Sequence, residues 1–135
     1  METIELSLTT PARPDVIDLT AAAADFVHAR GDGLLSVFVP HSTAGLAIVE
    51  LGAESERDLL AALDDVLPAM EGKWRHRHGS PGHGRDHVVP AFVSPSLTVP
   101  VLAGSLALGT WQSIVLVDTN GDNRTRRVRL SFVGG

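Results

Sequence analysis

Residues 88–133 read VVPAFVSPSLTVPVLAGSLALGTWQSIVLVDTNGDNRTRRVRLSFV. Four β-rich apolar runs, at residues 88–93, 97–101, 111–117 and 128–133, are separated by Pro, Gly and Ser turns, so this half predicts strands throughout. Upstream, Ile4, Leu6 and Leu8 alternate with Glu5, Ser7 and Thr9, the period of a half-buried strand, and Pro11 and Pro14 break it. Val16, Leu19, Ala23, Phe26 and Val27 then recur at three- and four-residue steps, which predicts a helix running to about Arg30, where Gly31-Asp32-Gly33 ends it. Residues 34–40 read as a buried strand. A second helix is expected over residues 54–67, with Leu59, Leu60, Leu63, Val66 and Leu67 on one side and Ser55 and Asp58 spaced as a capping pair. Two helices in the N-terminal half set beside antiparallel strands make an α+β fold.

At 135 residues the chain suits a single domain, 1–135, with a real core and no room for a separate regulatory unit. Zero cysteines exclude disulfides, thiolate ligands and a cysteine nucleophile. No apolar leader and no apolar run of ~18 residues is present, so a cytoplasmic protein with no membrane partner is expected. The overall charge of −5 hides an asymmetry: residues 1–72 carry three Arg against thirteen Asp and Glu, whereas residues 73–135 carry eight Lys and Arg against three Asp. Aromatics are 4% of the chain, too few for base stacking, and the acidic total argues against nucleic acid as a partner. A small anion, such as a phosphate ester, suits two short basic segments better: Lys73, Arg75, Arg77 and Arg85 form one, and Arg124, Arg126, Arg127 and Arg129 the other.

Residues 73–87 also hold four of the six histidines. His76 and His78 point to the same side of an extended chain, while His83 and His87 flank a Pro- and Gly-rich stretch where a helix is not expected, so the helical two-histidine zinc motif does not apply. Three histidines plus a carboxylate, Asp86 or Glu50, can still bind zinc or another divalent metal with a position open for water. His41 emerges at the end of a buried strand, with Ser42 and Thr43 able to bond an anion or fix the ring tautomer; a structural hydrogen bonder and a catalytic imidazole are both compatible with that place. Trp111 and Gln112 open an apolar strand, offering a flat wall beside an amide that can read a polar ligand.

Taken together, His41-Ser42-Thr43-Ala44-Gly45, Glu50, His76, His87, the block at residues 95–101 (PSLTVPV), the block at residues 108–112 (LGTWQ) and the late arginine run resemble, in order and spacing, the YjbQ family of small proteins named secondary thiamine-phosphate synthases. The resemblance spans nearly the whole chain and implies an antiparallel β-sandwich, a homotrimer and a weak activity joining a pyrimidine diphosphate to a thiazole phosphate. Such chemistry needs cations around both phosphates and usually a divalent metal, zinc or magnesium. By that resemblance Arg124 and Arg126, with Arg75 or Lys73, are candidates for phosphate binding together with Ser42 and Thr43. His41, Glu50 and His87 are the candidate catalytic groups, and His41, His76 and His87 the candidate metal ligands. Two departures stand out. Val49, Leu51, Gly52 and Ala53 replace polar family residues around the glutamate, and residues 79–86 replace an acidic glycine loop with a basic, histidine-rich one. The histidine content equally predicts a metal-dependent hydrolase, and the changed acidic residues a non-catalytic, anion-binding trimer.

Overall fold

In the computed structural model, which describes residues 1–135, the elements run β1 (Glu2–Thr9), β2 (Asp15–Asp18), α1 (Thr20–Val27), β3 (Gly33–Phe38), β4 (Ala44–Val49) and α2 (Ser55–Val66). Two 3₁₀ turns (His83–His87 and Val89–Ala91) follow, then β5 (Ser96–Leu102), β6 (Ser105–Leu106), β7 (Ser113–Asp118) and β8 (Thr125–Gly134). One sheet has the order β1-β8-β3-β5-β6, the other β2-β7-β4, and every pairing is antiparallel. This is the expected α+β sandwich, with both α-helices in the N-terminal half.

The residues 114–117 (IVLV) form an unbroken apolar run because β7 is covered on both faces. Ile114 and Leu116 join Leu35, Val37, Val99 and Leu130 of the larger sheet in the main core, which α1 closes with Ala23, Phe26 and Val27. Val115 and Val117 face the other way, into a second cluster with Leu63 and Leu67 of the α2 region and with Val89 and Val93. The molecule therefore has three layers, and the 3₁₀ segment lies in the outermost one.

Four expectations need correction. The helix expected from Val16 starts at Thr20, because residues 15–18 pair with β7 (Val16 with Val117, Ile17 with Leu116). Over so short a run, apolar spacing fits either period, and the free edge of β7 decides. Residues 88–93 are turns rather than a strand: Val88, Ala91, Phe92 and Val93 each donate to a carbonyl three or four residues back, and Val89 and Val93 enter the second cluster at a helical spacing. Residues 44–49, for which no element was expected, form β4, whose Gly45 is obligatory since a Cβ there would lie 1.9 Å from the Val93 carbonyl oxygen. Finally, the Ser55–Asp58 capping pair is not made: α2 is preceded by Glu54 at φ 69° and has no side-chain cap.

Candidate metal centre

The first 3₁₀ turn opens after Pro81-Gly82, where Gly82 takes φ 79° and the His83 N–H donates to the Ser80 carbonyl at 3.0 Å. His83 and His87 stand at the two ends of this short turn, and their ring centroids are 4.8 Å apart. The preceding segment, carrying His76 and His78, lies directly on Gly84. A Cβ on that glycine would sit 2.5 Å from Trp74 Cβ and 2.9 Å from the His76 carbonyl oxygen. The missing side chain lets the two segments touch, and Trp74 is pinned in turn by its indole N–H donating to the Pro68 carbonyl at 2.9 Å.

Four imidazoles converge as a result. The candidate ligand atoms of His76, His78, His83 and His87 all lie within 4.8 Å of one another. Ring centroids are 4.0 Å apart for His76 and His78, 4.1 Å for His76 and His87, and at most 5.7 Å across the group. A tetrahedral zinc site with Zn–N bonds of ~2.0–2.1 Å requires nitrogens roughly 3.4 Å apart, so the wider pairs would have to close and the His83–His87 pair, 2.9 Å apart, to open slightly. His83 is buried, His87 half-buried, and His76 and His78 face solvent, which gives an ion a route in.

Behind the rings stands a polar shell of the kind that orients metal-binding histidines. His83 Nδ1 lies 2.7 Å from Asn120 Nδ2 and 3.0 Å from Asp122 Oδ2. The Ser42 hydroxyl lies 3.3 Å from His87 Nδ1. Both rings thus turn Nε2 inward, and the two Nε2 atoms are 2.9 Å apart. Asp86 is not a ligand: its carboxylate accepts from Arg85 Nε, the Thr119 hydroxyl and Asn120 Nδ2, at 2.9, 2.7 and 3.2 Å. Arg85 goes on to Asp64 and to the Leu67 carbonyl, tying the turn to α2.

The electrostatics favour bare ring nitrogens. Desolvation and then the neighbouring rings, His76 first, hold the His87 pKa below 6.5; Asp86 opposes them. His76 is lowered by the same two effects, with His78 the leading neighbour. Asp122 lies below the usual carboxylate value because the Ser80 hydroxyl and the Ser80 backbone N–H both donate to it, so it remains charged beside His83. Two clefts of about 250 Å³ each flank the centre, one along Trp74, His76, Arg77 and Gly79, the other along Ser80, His83, Thr119 and Asp122.

The other residues singled out in the sequence lie elsewhere. His41 is not a member of the four-histidine cluster, which holds His78 and His83 beside the expected His76 and His87; its Nε2 accepts the Arg127 backbone N–H at 2.9 Å. Burial, then Arg126 and Arg127, lower its pKa. Arg126, 1% exposed, donates through Nε and Nη2 to Asp118 and through Nη2 to Thr43 Oγ1, which makes it and Thr43 parts of the core rather than an open phosphate cradle. Arg124 is exposed and its Nε donates to the Thr10 carbonyl. Glu50 is exposed beyond the end of β4, away from the histidines. Arg75 is exposed and makes no ion pair. Trp111, 73% exposed, and Gln112 precede β7 instead of lining the centre; the Gln112 amide oxygen accepts from the Gly109 N–H at 2.8 Å. Asn120 and Asp122 escaped the sequence reading, and the one signal for them was their position in the turn after a buried strand, where Asn and Asp commonly bond backbone.

The family described as UPF0047 protein YjbQ-like matches residues 4–135. A UPF0047 protein of Mycobacterium tuberculosis is 57% identical over 135 residues, covering all of both chains. The UPF0047 protein YugU of Bacillus subtilis is 33% identical over 132 residues, 96% of this chain and 97% of its own. Among solved structures, a hypothetical protein of Aeropyrum pernix K1 aligns over 100% of both chains with a TM-score of 0.88 and 31% identity. A YjbQ/UPF0047 protein of Clostridium acetobutylicum aligns with a TM-score of 0.87 and 32% identity, over 96% of this chain and 99% of its own. A match running from the first strand to the last residue, joined to relatives that share both length and fold, means that the chain belongs to the YjbQ-like UPF0047 family.

Proposed function

We propose that the chain is a zinc-class metal hydrolase acting on small phosphorylated molecules. The observation that carries the reading is the convergence of four imidazoles, two of which, His83 and His87, have hydrogen-bond partners on their outer nitrogens. An all-imidazole set suits zinc, copper or nickel and not magnesium, which prefers oxygen donors, so of the two metals expected from the sequence the site favours zinc. Zinc held by three of the imidazoles, with the fourth position left to water, would supply a water with a pKa near 7, a hydroxide source at neutral pH. Around that centre the protein's own groups would do the rest. Lys73, Arg75 and Arg77, exposed and without acidic partners, sit on the segment that carries His76 and His78, and Arg77 shares a cleft with His76 where an anionic group can lie.

A thiamine-phosphate synthase activity finds less support. It requires cations gathered around two phosphates, and within one chain Arg126 is engaged with Asp118 while Arg124 leans on Thr10. The reading carries with it the homotrimer implied by family resemblance, which native mass measurement should show as three copies of the 14.3 kDa chain.

The test is elemental analysis of purified protein dialysed against zinc, followed by turnover of a phosphomonoester such as p-nitrophenyl phosphate. One zinc per chain and turnover, both lost in a His83→Ala, His87→Ala double variant, are expected. Stoichiometric zinc with no turnover on any phosphoester would leave the non-catalytic anion-binding reading. No bound zinc would remove the hydrolase reading altogether.

A further inference from the structure

The outer nitrogen of His83 meets two groups at hydrogen-bond distance with opposite demands, the Asp86 carboxylate standing farther off at 3.6 Å. Asn120 presents Nδ2, a donor, at 2.7 Å. The amide cannot be turned over without loss, because its Oδ1 accepts the backbone N–H groups of Asp122 and Asn123 at 2.9 and 3.1 Å. Asp122 presents Oδ2, an acceptor, at 3.0 Å from the same ring nitrogen. An unprotonated Nδ1 satisfies Asn120; a protonated one satisfies Asp122.

The inner nitrogen makes the choice consequential. His83 Nε2 and His87 Nε2, 2.9 Å apart, can share a hydrogen bond only if one of them carries a proton. His87 Nδ1 faces the Ser42 hydroxyl at 3.3 Å, where a ring N–H has an acceptor. A metal-free arrangement that meets the short Asn120 contact has His83 protonated on Nε2 and donating to His87, with His83 Nδ1 accepting from Asn120. An ion needs the Nε2 lone pair, so in the loaded state the proton must sit on Nδ1, where Asp122 accepts it.

Resting on the metal-binding reading above, we propose that Asn120 and Asp122 select the ring tautomer of His83, Asn120 holding the metal-free form and Asp122 the metal-ready form, so that Asp122 is a positioning residue of the centre. The proton leaves Nε2 for solvent, and solvent supplies one to Nδ1, so loading through this ring is neutral in protons. Nε2 exchanges His87 for the ion, and Nδ1 exchanges Asn120 for Asp122.

The experiment uses the full-length protein, zinc alone as the probe, and two readouts. Nitrogen-15 NMR of the imidazoles reports which His83 nitrogen carries the proton, and competition with a chromophoric chelator reports zinc affinity. In wild type, a metal-free Nε2–H form that becomes Nδ1–H on loading is expected. Asp122→Asn should weaken zinc binding on the order of 10–100-fold, the usual effect of losing such a partner, without lowering the metal-free melting temperature, and Asp122→Glu should recover part of it. Ser80→Ala, which removes a bond to Asp122 but leaves His83 untouched, should weaken binding far less than Asp122→Asn. An Nδ1–H form already present without metal, or unchanged affinity in Asp122→Asn beside a tight wild type, would overturn the assignment alone. A wild type that binds no zinc would overturn the hydrolase reading and this assignment with it.

Discussion

At the scale of single residues, the buried charges divide into those that hold the fold and those that serve the centre. Arg126 and Asp118 form an ion pair about 1% exposed, in which the guanidinium also reaches Thr43 across 83 positions of sequence. Removing one member leaves the other charge buried and unpaired, so Arg126→Met should cost about 3–5 kcal/mol in urea unfolding, while replacing both partners with apolar residues should cost less. His41 illustrates a quieter role. Its Nε2 accepts a backbone N–H, so the ring must be neutral, and burial beside Arg126 and Arg127 keeps its pKa below the 6.5 of the unfolded chain. The unfolded chain then binds the proton more readily than the folded one. The contribution of His41 is complete above about pH 6.5 and declines as pH falls through that value. Urea midpoints of metal-free protein should drop between about pH 7.5 and pH 5.5, and His41→Gln should reduce that drop; an identical profile in the variant would exclude His41 as a source.

Among the elements, the 3₁₀ turn His83–His87 matters most, because it unites two histidines of its own with two from an irregular segment that has no regular structure to hold it. Contact at Gly84 and the Trp74 bond to Pro68 are what fix that segment. Gly84→Ala should therefore push residues 74–76 away from the turn. Overpacking of this kind typically costs about 1–3 kcal/mol, so the variant should still fold. Its zinc affinity should fall at least tenfold, since His76 and His78 move with the displaced backbone; chelator competition alongside circular dichroism would separate lost binding from lost fold. Unaltered affinity would mean that His83 and His87 recruit the ion without their exposed partners.

Across the whole molecule, strands β1, β3, β5, β7 and β8 and the helix α2 were legible because alternation or long apolar runs carry them. What escaped the sequence depended on partners far along the chain. Residues 15–18 become a strand through the waiting edge of β7, and β4 is a strand only because Gly45 admits the Val93 carbonyl. For the centre, composition located the crowding at residues 73–87, but His41 and His83 could be ranked only once the turn was seen, and Asn120 and Asp122 come from a loop more than thirty residues away. Glu2 lies opposite Phe132 and Thr9 opposite Thr125, so the first and last strands run side by side with both chain ends at the same end of the strand pair. Tension applied between the termini would open this ladder one hydrogen-bonded pair at a time, from Glu2 inward, instead of loading all eight pairs together. Under mechanical force the larger sheet is built to peel like a zip, while the histidine cluster, anchored in the other sheet and its covering layer, would be the last part to feel the pull.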